Sequence, residues 1–98
     1  MWILESDETT FRLRSGAIKT VGRATGADFI LDAALVSRLH CQLTADADAL
    51  EVLDLSSTNG TFVNDKRIEK ARLAAGDRLR IGRVELTVNR QAADLETV

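Results

Sequence analysis

Short runs in which apolar and polar residues alternate are the feature that most constrains the fold of this chain. Phe11 and Leu13 alternate with arginines, Leu79 and Ile81 do the same, and similar runs occur at 40–44 and 84–88. Successive side chains of a strand point to opposite faces of a sheet, so each run predicts a β-strand with a buried side. Turn-forming residues interrupt the runs about every 8 to 12 residues, a spacing typical of β-sandwiches. The sequence therefore predicts an all-β fold, a two-sheet antiparallel β-sandwich.

Two further runs, "DFILD" at 28–32 and "LEVLDL" at 50–55, are more continuously apolar than the alternating ones. Such runs predict strands that are more deeply buried or more twisted. We expect helix, if anywhere, only in "EKARLAA" at 69–75 or in the polar tail at 90–98.

Composition limits the classes of protein that the chain can belong to. Its 98 residues predict one domain, with the fold over 1–88 and a polar tail or linker over 89–98. A formal charge of −2 gives no overall field that would attract nucleic acid. Cys41 is the single cysteine and has no partner for an internal disulfide, which fits a reducing compartment. No basic leader with an apolar core opens the sequence, and no apolar run approaches the ~20 residues of a membrane helix. We therefore expect a cytoplasmic (intracellular) protein that neither inserts into membranes nor binds nucleic acid.

Three connections between the predicted strands are unusually rich in hydrogen-bonding side chains. Arg23 directly follows a glycine in the first, and the second runs from Ser37 to His40. The third is "DLSSTNGTFVND" at 54–65, where Asn59-Gly60 predicts a tight hairpin turn because both of its central residues need positive φ. A hairpin tip alone does not need the surrounding hydroxyls and amides, which indicates that this loop has a further role.

The chemistry of these loops favours an anion-binding end. The planar guanidinium fork of arginine matches phosphate oxygens, and hydrogen bonds to a charged acceptor are about twice as strong as neutral ones. A serine hydroxyl and glycine-freed main-chain N–H groups can complete the shell around a tetrahedral anion. Loops from several strands can meet at one end of a sandwich. These donor groups do not by themselves identify which anion is bound.

Other chemical interpretations of the same residues are weaker. Adjacent His40 and Cys41 would point to opposite faces of a strand and have no second pair of ligands, so we expect no metal site. Ser37, His40 and Asp54 could be imagined as a catalytic triad, but no nucleophile elbow precedes the serine. The stretch "GRATGAD" lacks the lysine and spacing of a nucleotide-binding loop.

Four blocks, in order, resemble the signature of the forkhead-associated (FHA) domain: "GR" at 22–23, "SRLH" at 37–40, "STNGTFVN" at 57–64 and "GDRLRIG" at 76–82. The resemblance covers nearly the whole chain, from about Trp2 to Val88. It implies a sandwich of about eleven short strands that binds phosphothreonine peptides through loops at one end. It also implies no catalytic activity and no cofactor.

The resemblance assigns roles to five phosphopeptide-binding residues. Arg23 would bind the phosphate or the adjacent peptide main chain, and Ser37 would donate its hydroxyl and backbone N–H to phosphate oxygens. Arg38 would supply a second phosphate donor. Thr58 would contact the phosphate and shape a slot for the threonine methyl group, and Asn59 would hold the peptide backbone on either side of the phosphothreonine.

Four further residues match positions of the family that support the site, namely Gly22, His40, Gly60 and Asn64. One departure is visible, because the family commonly shows Asn-Gly after the "TFV" strand and this chain has Asn64-Asp65. Aspartate tolerates turn conformations, so we expect a local change in geometry and no change in binding.

These residues favour a phosphothreonine-dependent interaction module acting downstream of a Ser/Thr kinase. The alternative is a phospho-independent FHA-like scaffold in an assembly or secretion complex, which could dispense with the phosphate-contacting side chains. A separate hypothesis concerns "DETT" at 7–10, where Thr9 or Thr10 follows acidic residues and could itself be phosphorylated. We favour a polar hairpin tip at that position.

Overall fold

A computed structural model describes residues 1–91 of the chain. These residues form eleven β-strands: β1 (Trp2–Glu5), β2 (Thr10–Leu13), β3 (Ile18–Gly22), β4 (Phe29–Ile30), β5 (Cys41–Ala45), β6 (Leu50–Asp54), β7 (Thr61–Val63), β8 (Lys66–Ile68), β9 (Lys70–Leu73), β10 (Arg78–Ile81) and β11 (Val84–Arg90).

The strands make two sheets. One sheet has six strands in the order β2-β1-β11-β10-β7-β8, and the other has five in the order β4-β3-β5-β6-β9. Every pairing is antiparallel except that of β3 with the two-residue β4. The predicted all-β, two-sheet sandwich of about eleven short strands is confirmed.

The hydrophobic core lies between the sheets and is built from the alternating positions that the sequence identified. Leu79 and Ile81 of β10 are fully buried, as is Leu86 of β11. At one open side of the sandwich, the rings of Phe11 and Phe29 stack with their centroids 4.5 Å apart and close the gap between β2 and β4. Apolar burial of this kind is the main favourable contribution to folding.

Two expectations about local structure are wrong. The segment 69–75, considered as a helix, contains strand β9 instead, because Leu73 pairs with Leu50 and joins the core. The run 28–32 contains only the short edge strand β4, whose Ile30 is 48% exposed, rather than a deeply buried strand. In both places the segment lies at an edge of the five-stranded sheet, β4 beside β3 and β9 beside β6. The unpaired backbone groups of β3 and β6 form hydrogen bonds with these segments, which therefore adopt a strand conformation.

The expected hairpin turn at Asn59-Gly60 is also wrong. This dipeptide connects β6 in one sheet to β7 in the other, and Asn59 is not among the described residues with positive φ. The two-residue hairpin occurs five residues later, where Asn64 (φ 49°) and Asp65 (φ 70°) link β7 to β8. Positive φ at both central positions is the geometry of a type I′ turn.

The expected polar tail begins within the fold, since β11 continues through Arg90 and the Gln91 N–H donates to the Met1 carbonyl at 2.8 Å. The rest of that tail, 92–98, lies outside the described residues.

The "DETT" stretch forms the tip between β1 and β2, where the Ser6 hydroxyl accepts from the Thr9 N–H at 3.2 Å. Over residues 1–91 no helix has the length and apolarity to cross a membrane.

Candidate functional site

The three polar loops meet at one end of the sandwich because of the strand directions. β3 ends at Gly22 and its antiparallel neighbour β5 begins at Cys41, so the loops that leave and enter these strands lie side by side. β6, the next strand, ends at Asp54 at the same end, and the connection 55–60 crosses from there to β7 in the other sheet.

Main-chain hydrogen bonds join the first two loops. The Arg23 N–H donates to the Ser37 carbonyl at 2.9 Å, and the Ala24 N–H donates to the Arg38 carbonyl at 3.1 Å. The Arg23 side chain adds a third bond, from Nε to the Val36 carbonyl at 3.1 Å. With Nε fixed in this way, the two terminal nitrogens of the Arg23 guanidinium group remain to bind a ligand.

The third loop is tied to the second by two residues that the sequence singled out. The Thr58 N–H donates to Ser37 Oγ at 3.0 Å, and Asn59 Nδ2 donates to the Leu35 carbonyl at 3.1 Å. Ser37 Oγ accepts this hydrogen bond and can still donate its own hydrogen. The Ser37 hydroxyl donates to no acceptor within residues 1–91, so its hydrogen is available to a ligand oxygen.

His40 is fully buried beneath the site and fixes the loops from below. Its Nδ1 accepts from the Ser37 N–H at 3.0 Å, so Nε2 carries the hydrogen and donates to the Gly60 carbonyl at 2.8 Å. The Ser37 N–H, expected to face phosphate, is therefore used inside the protein. The Ser37 hydroxyl remains as a donor available in the groove.

Asp54 fixes the base of the 55–60 loop. Its carboxylate accepts from the Ser57 hydroxyl at 2.5 Å, from the Ser57 N–H at 3.1 Å and from the Thr61 hydroxyl at 2.7 Å. Partial burial acts to raise the pKa of Asp54, but the hydrogen bonds from Ser57 and Thr61 outweigh it and hold the pKa below its usual value.

Burial, assisted by the negative charge of Asp54, raises the pKa of the Cys41 thiol to about 12.

All five candidate binding residues line one open groove of about 640 Å³, namely Arg23, Ser37, Arg38, Thr58 and Asn59. Neither arginine has an ion-pair partner within residues 1–91, although the exposed Asp32 lines the same groove. The groove thus combines two guanidinium groups with an available hydroxyl donor, which is a chemical match for a dianionic phosphate.

The candidate support residues lie behind the groove rather than in it. A Cβ on Gly22 would overlap the Arg38 carbonyl oxygen, so only glycine allows the first two loops to approach this closely. Gly60 has φ 90° and accepts from His40. Asn64 is farther away and stabilises its own turn, since its Oδ1 accepts from the Arg78 N–H at 2.9 Å.

Sequence reasoning missed two contributions to the site. The carbonyls of Leu35 and Val36 hold Asn59 and Arg23, although neither residue has a functional side chain. Leu35 has φ 69°, which is rare for leucine, and Gly82 of the β10–β11 turn packs against its backbone. Main-chain acceptors leave no signal in the sequence, whereas Gly82 could have been noticed at the end of the "GDRLRIG" block.

The geometry does not assemble the imagined catalytic triad. His40 contacts the Ser37 N–H rather than its hydroxyl, and Asp54 bonds Ser57 and Thr61 rather than the histidine. Residues 1–91 also contain no group of three or more histidine, cysteine or acidic side chains arranged to hold a metal ion.

The chain is thus a β-sandwich domain whose loops at one end form an open groove lined by two arginines. The FHA domain model matches residues 19–82, and the chain belongs to the FHA domain family. The matched region leaves out β1, β2 and β11, which the structure shows to be integral parts of the six-stranded sheet.

Known proteins resemble the chain over most of its length. It is 39% identical over 79 residues to the FHA domain-containing protein FhaA of Mycobacterium tuberculosis, covering 81% of this chain and 15% of FhaA. It is 38% identical over 86 residues to the ABC transporter ATP-binding/permease protein Rv1747 of the same organism, covering 88% of this chain and 10% of the transporter. The chain therefore spans only a small part of either relative.

A solved FHA domain, from structural and functional work on phosphothreonine-dependent FHA domain interactions, has the same fold. It superposes with a TM-score of 0.82 at 35% identity, covering 92% of this chain and 94% of that one.

Proposed function

We propose that this domain binds phosphothreonine-containing proteins through the groove at its loop end and has no catalytic role of its own. The observation that carries the proposal is the convergence of Arg23, Arg38 and the Ser37 hydroxyl on one open groove. Membership of a family with a phosphothreonine-dependent relative supports it. The partner is a protein phosphorylated by a Ser/Thr kinase, in the cytoplasm.

Charge explains why an unphosphorylated ligand is rejected. Phosphothreonine carries about −1.5 to −2 charges at neutral pH, which balances the two guanidinium groups. A plain threonine would leave both arginines facing one another without a counter-charge. Phosphoserine has the same charge as phosphothreonine, so the domain can distinguish them only by the threonine methyl group, which would pack beside Thr58. In a fitted pocket this methyl group changes the affinity roughly ten- to hundredfold.

The test is a fluorescence-anisotropy titration of a peptide library with a central phosphothreonine, with phosphoserine and unphosphorylated versions of the selected peptides. We expect Arg23→Ala and Ser37→Ala each to weaken binding roughly ten- to hundredfold, since each removes a hydrogen bond to a charged group. Arg12→Ala is the matched control, because it removes an exposed arginine from β2, outside the groove.

Equal affinity for phosphorylated and unphosphorylated peptides would overturn the proposal and favour a phospho-independent scaffold. Detectable turnover that disappears with Ser37→Ala or His40→Ala would contradict the non-enzymatic part.

A further inference from the structure

The charge of the chain is strongly segregated. Residues 61–91 contain eight lysines and arginines against four acidic residues, a net charge of +4, whereas residues 1–60 contain five against nine, a net charge of −4. The basic part includes β7, β8 and β10, which are neighbours at one side of the six-stranded sheet.

Three arginines concentrate this charge on the outer face of that sheet. Arg80 of β10 pairs with Phe62 of β7, which in turn pairs with Arg67 of β8, so the three side chains form one row across neighbouring strands. The Arg80 guanidinium group lies 4.3 Å from the Phe62 ring centroid in a cation–π contact. Arg78, two residues before Arg80, extends the positive surface along β10. We call Arg67, Arg78 and Arg80 the arginine strip.

The strip reaches the loop that forms one wall of the groove, although Arg67 itself does not line the groove. A Cβ on Gly60 would lie 2.9 Å from Arg67 Nε, so this guanidinium group rests directly against the loop that carries Thr58 and Asn59. A ligand held in the groove can therefore continue onto the strip by passing over the 57–60 loop.

The positive charge of the strip is only partly compensated. Asp65 lies 4.0 Å from Arg78 and 3.8 Å from Arg80, but its side chain is 70% exposed, and exposed ion pairs of this kind are weak. Arg67 forms no ion pair with any described residue. The strip thus retains the capacity to bind added negative charge.

We propose that the arginine strip binds an acidic segment of the same phosphoprotein that occupies the groove, an inference that rests on the proposed function. An extended segment advances ~3.3 Å per residue and Arg67 lies against Gly60, so acidic residues a few positions from the phosphothreonine reach the strip. A short acidic segment fits better than a long polyanion such as DNA, because Glu85 and Glu5 make the next strands of the same face negative.

The test compares versions of one library-selected phosphothreonine peptide. One version has neutral flanks, and two others carry a run of four glutamates beginning three residues before or after the phosphothreonine. Glutamines replace glutamates in the matched peptides. Affinities are measured for the natural protein, for the double variant Arg67→Ala/Arg80→Ala, and for Arg12→Ala, which removes charge at the opposite edge of the same sheet.

We expect one of the two glutamate runs to strengthen binding roughly five- to twentyfold at low salt, because interfacial charge complementarity acts through several contacts and is screened by salt. The double variant should lose this gain while binding the neutral-flanked peptide within about twofold of the natural protein, since neither Arg67 nor Arg80 lines the groove. Arg12→Ala should keep the gain.

If the neutral-flanked peptide does not bind the natural protein, the proposed function fails and this inference fails with it. If that peptide binds but neither glutamate run helps, or if the gain survives in the double variant, this inference alone is overturned. Arg67-dependent binding of duplex DNA that is tighter than binding of the glutamate peptide would likewise overturn it.

Discussion

Single residues at the loop end act mainly by fixing the main chain of the loops. His40 holds Ser37 and Gly60 in place from beneath the groove without reaching it. Gly22 acts through the absence of a side chain, since its Cα faces the Arg38 carbonyl at a distance that excludes a methyl group. The side chains that line the groove therefore owe their positions to residues that do not line it.

A pair of glycine substitutions tests this at the residue scale. We expect Gly22→Ala to lower the free energy of unfolding by about 2 to 3 kcal/mol and to weaken phosphopeptide binding, because its new methyl group forces the two loops apart. Gly26→Ala, in the same loop, should change the free energy of unfolding by less than about 1 kcal/mol, because no atom lies within 4 Å of its added Cβ.

Urea unfolding monitored by circular dichroism measures both variants. Equal stability of Gly22→Ala and Gly26→Ala would show that the close approach of the loops does not constrain position 22.

Among the elements, the β7–β8 hairpin departs most clearly from the residue preferences of its turn type, because neither central residue is glycine. Its turn places Asp65 at φ 70°, where glycine is the preferred residue of a type I′ turn. Asn64 adopts φ 49° but gains two side-chain hydrogen bonds, to the Arg78 N–H and to Asp77. The two positions of one turn therefore differ in what their side chains contribute.

Substituting each turn position by glycine should consequently have opposite effects. Asp65→Gly should raise the free energy of unfolding by about 0.5 to 1 kcal/mol, since it relieves a left-handed conformation and loses only exposed ion pairs. Asn64→Gly should lower it by about 1 kcal/mol because its hydrogen bonds are lost.

Urea unfolding of the two variants checks these signs, and phosphopeptide affinity should be unchanged in Asp65→Gly. Destabilisation by Asp65→Gly would mean that its ion pairs with Arg78 and Arg80 outweigh the backbone strain.

At the scale of the whole molecule, aspartates that accept hydrogen bonds link stability to pH. The Thr20 N–H and hydroxyl lower the pKa of Asp28, and the N–H groups of Asp48 and Ala49 lower the pKa of Asp46. The pKa of Asp54 is also lowered, because its hydrogen bonds outweigh the opposing effect of burial. Each carboxylate stabilises the folded chain while it is ionised, and Asp54 does so directly beneath the candidate site.

The sign of the pH dependence follows from these lowered values. The contribution of each aspartate to the free energy of unfolding is complete above the unfolded-state pKa of about 4. This contribution is lost as the pH falls through the lower folded-state pKa. We expect the urea midpoint to fall between about pH 4 and pH 2, and to fall less steeply in Asp54→Asn, which removes one of the three titrating groups. An identical slope in the natural protein and in Asp54→Asn would exclude Asp54 as a contributor.

The all-β architecture and the residues that line the groove were both predictable from local sequence patterns. Period-two alternation predicted the strands and their buried faces because that pattern depends only on local geometry. The four FHA-like blocks indicated every candidate residue that lines the groove, because side chains that bind a specific ligand must be of particular types.

The paths of the connections between the strands depend on how the whole domain packs. Asn59-Gly60 has the sequence of a hairpin turn but crosses between sheets, and 69–75 becomes a strand because the edge of β6 needs a partner. The carbonyls of Leu35 and Val36, and the row formed by Arg80, Phe62 and Arg67, bring together residues distant in sequence. The physical reason is that hydrogen-bond partners and cross-strand neighbours are set by the packing of the whole domain, which no local pattern encodes.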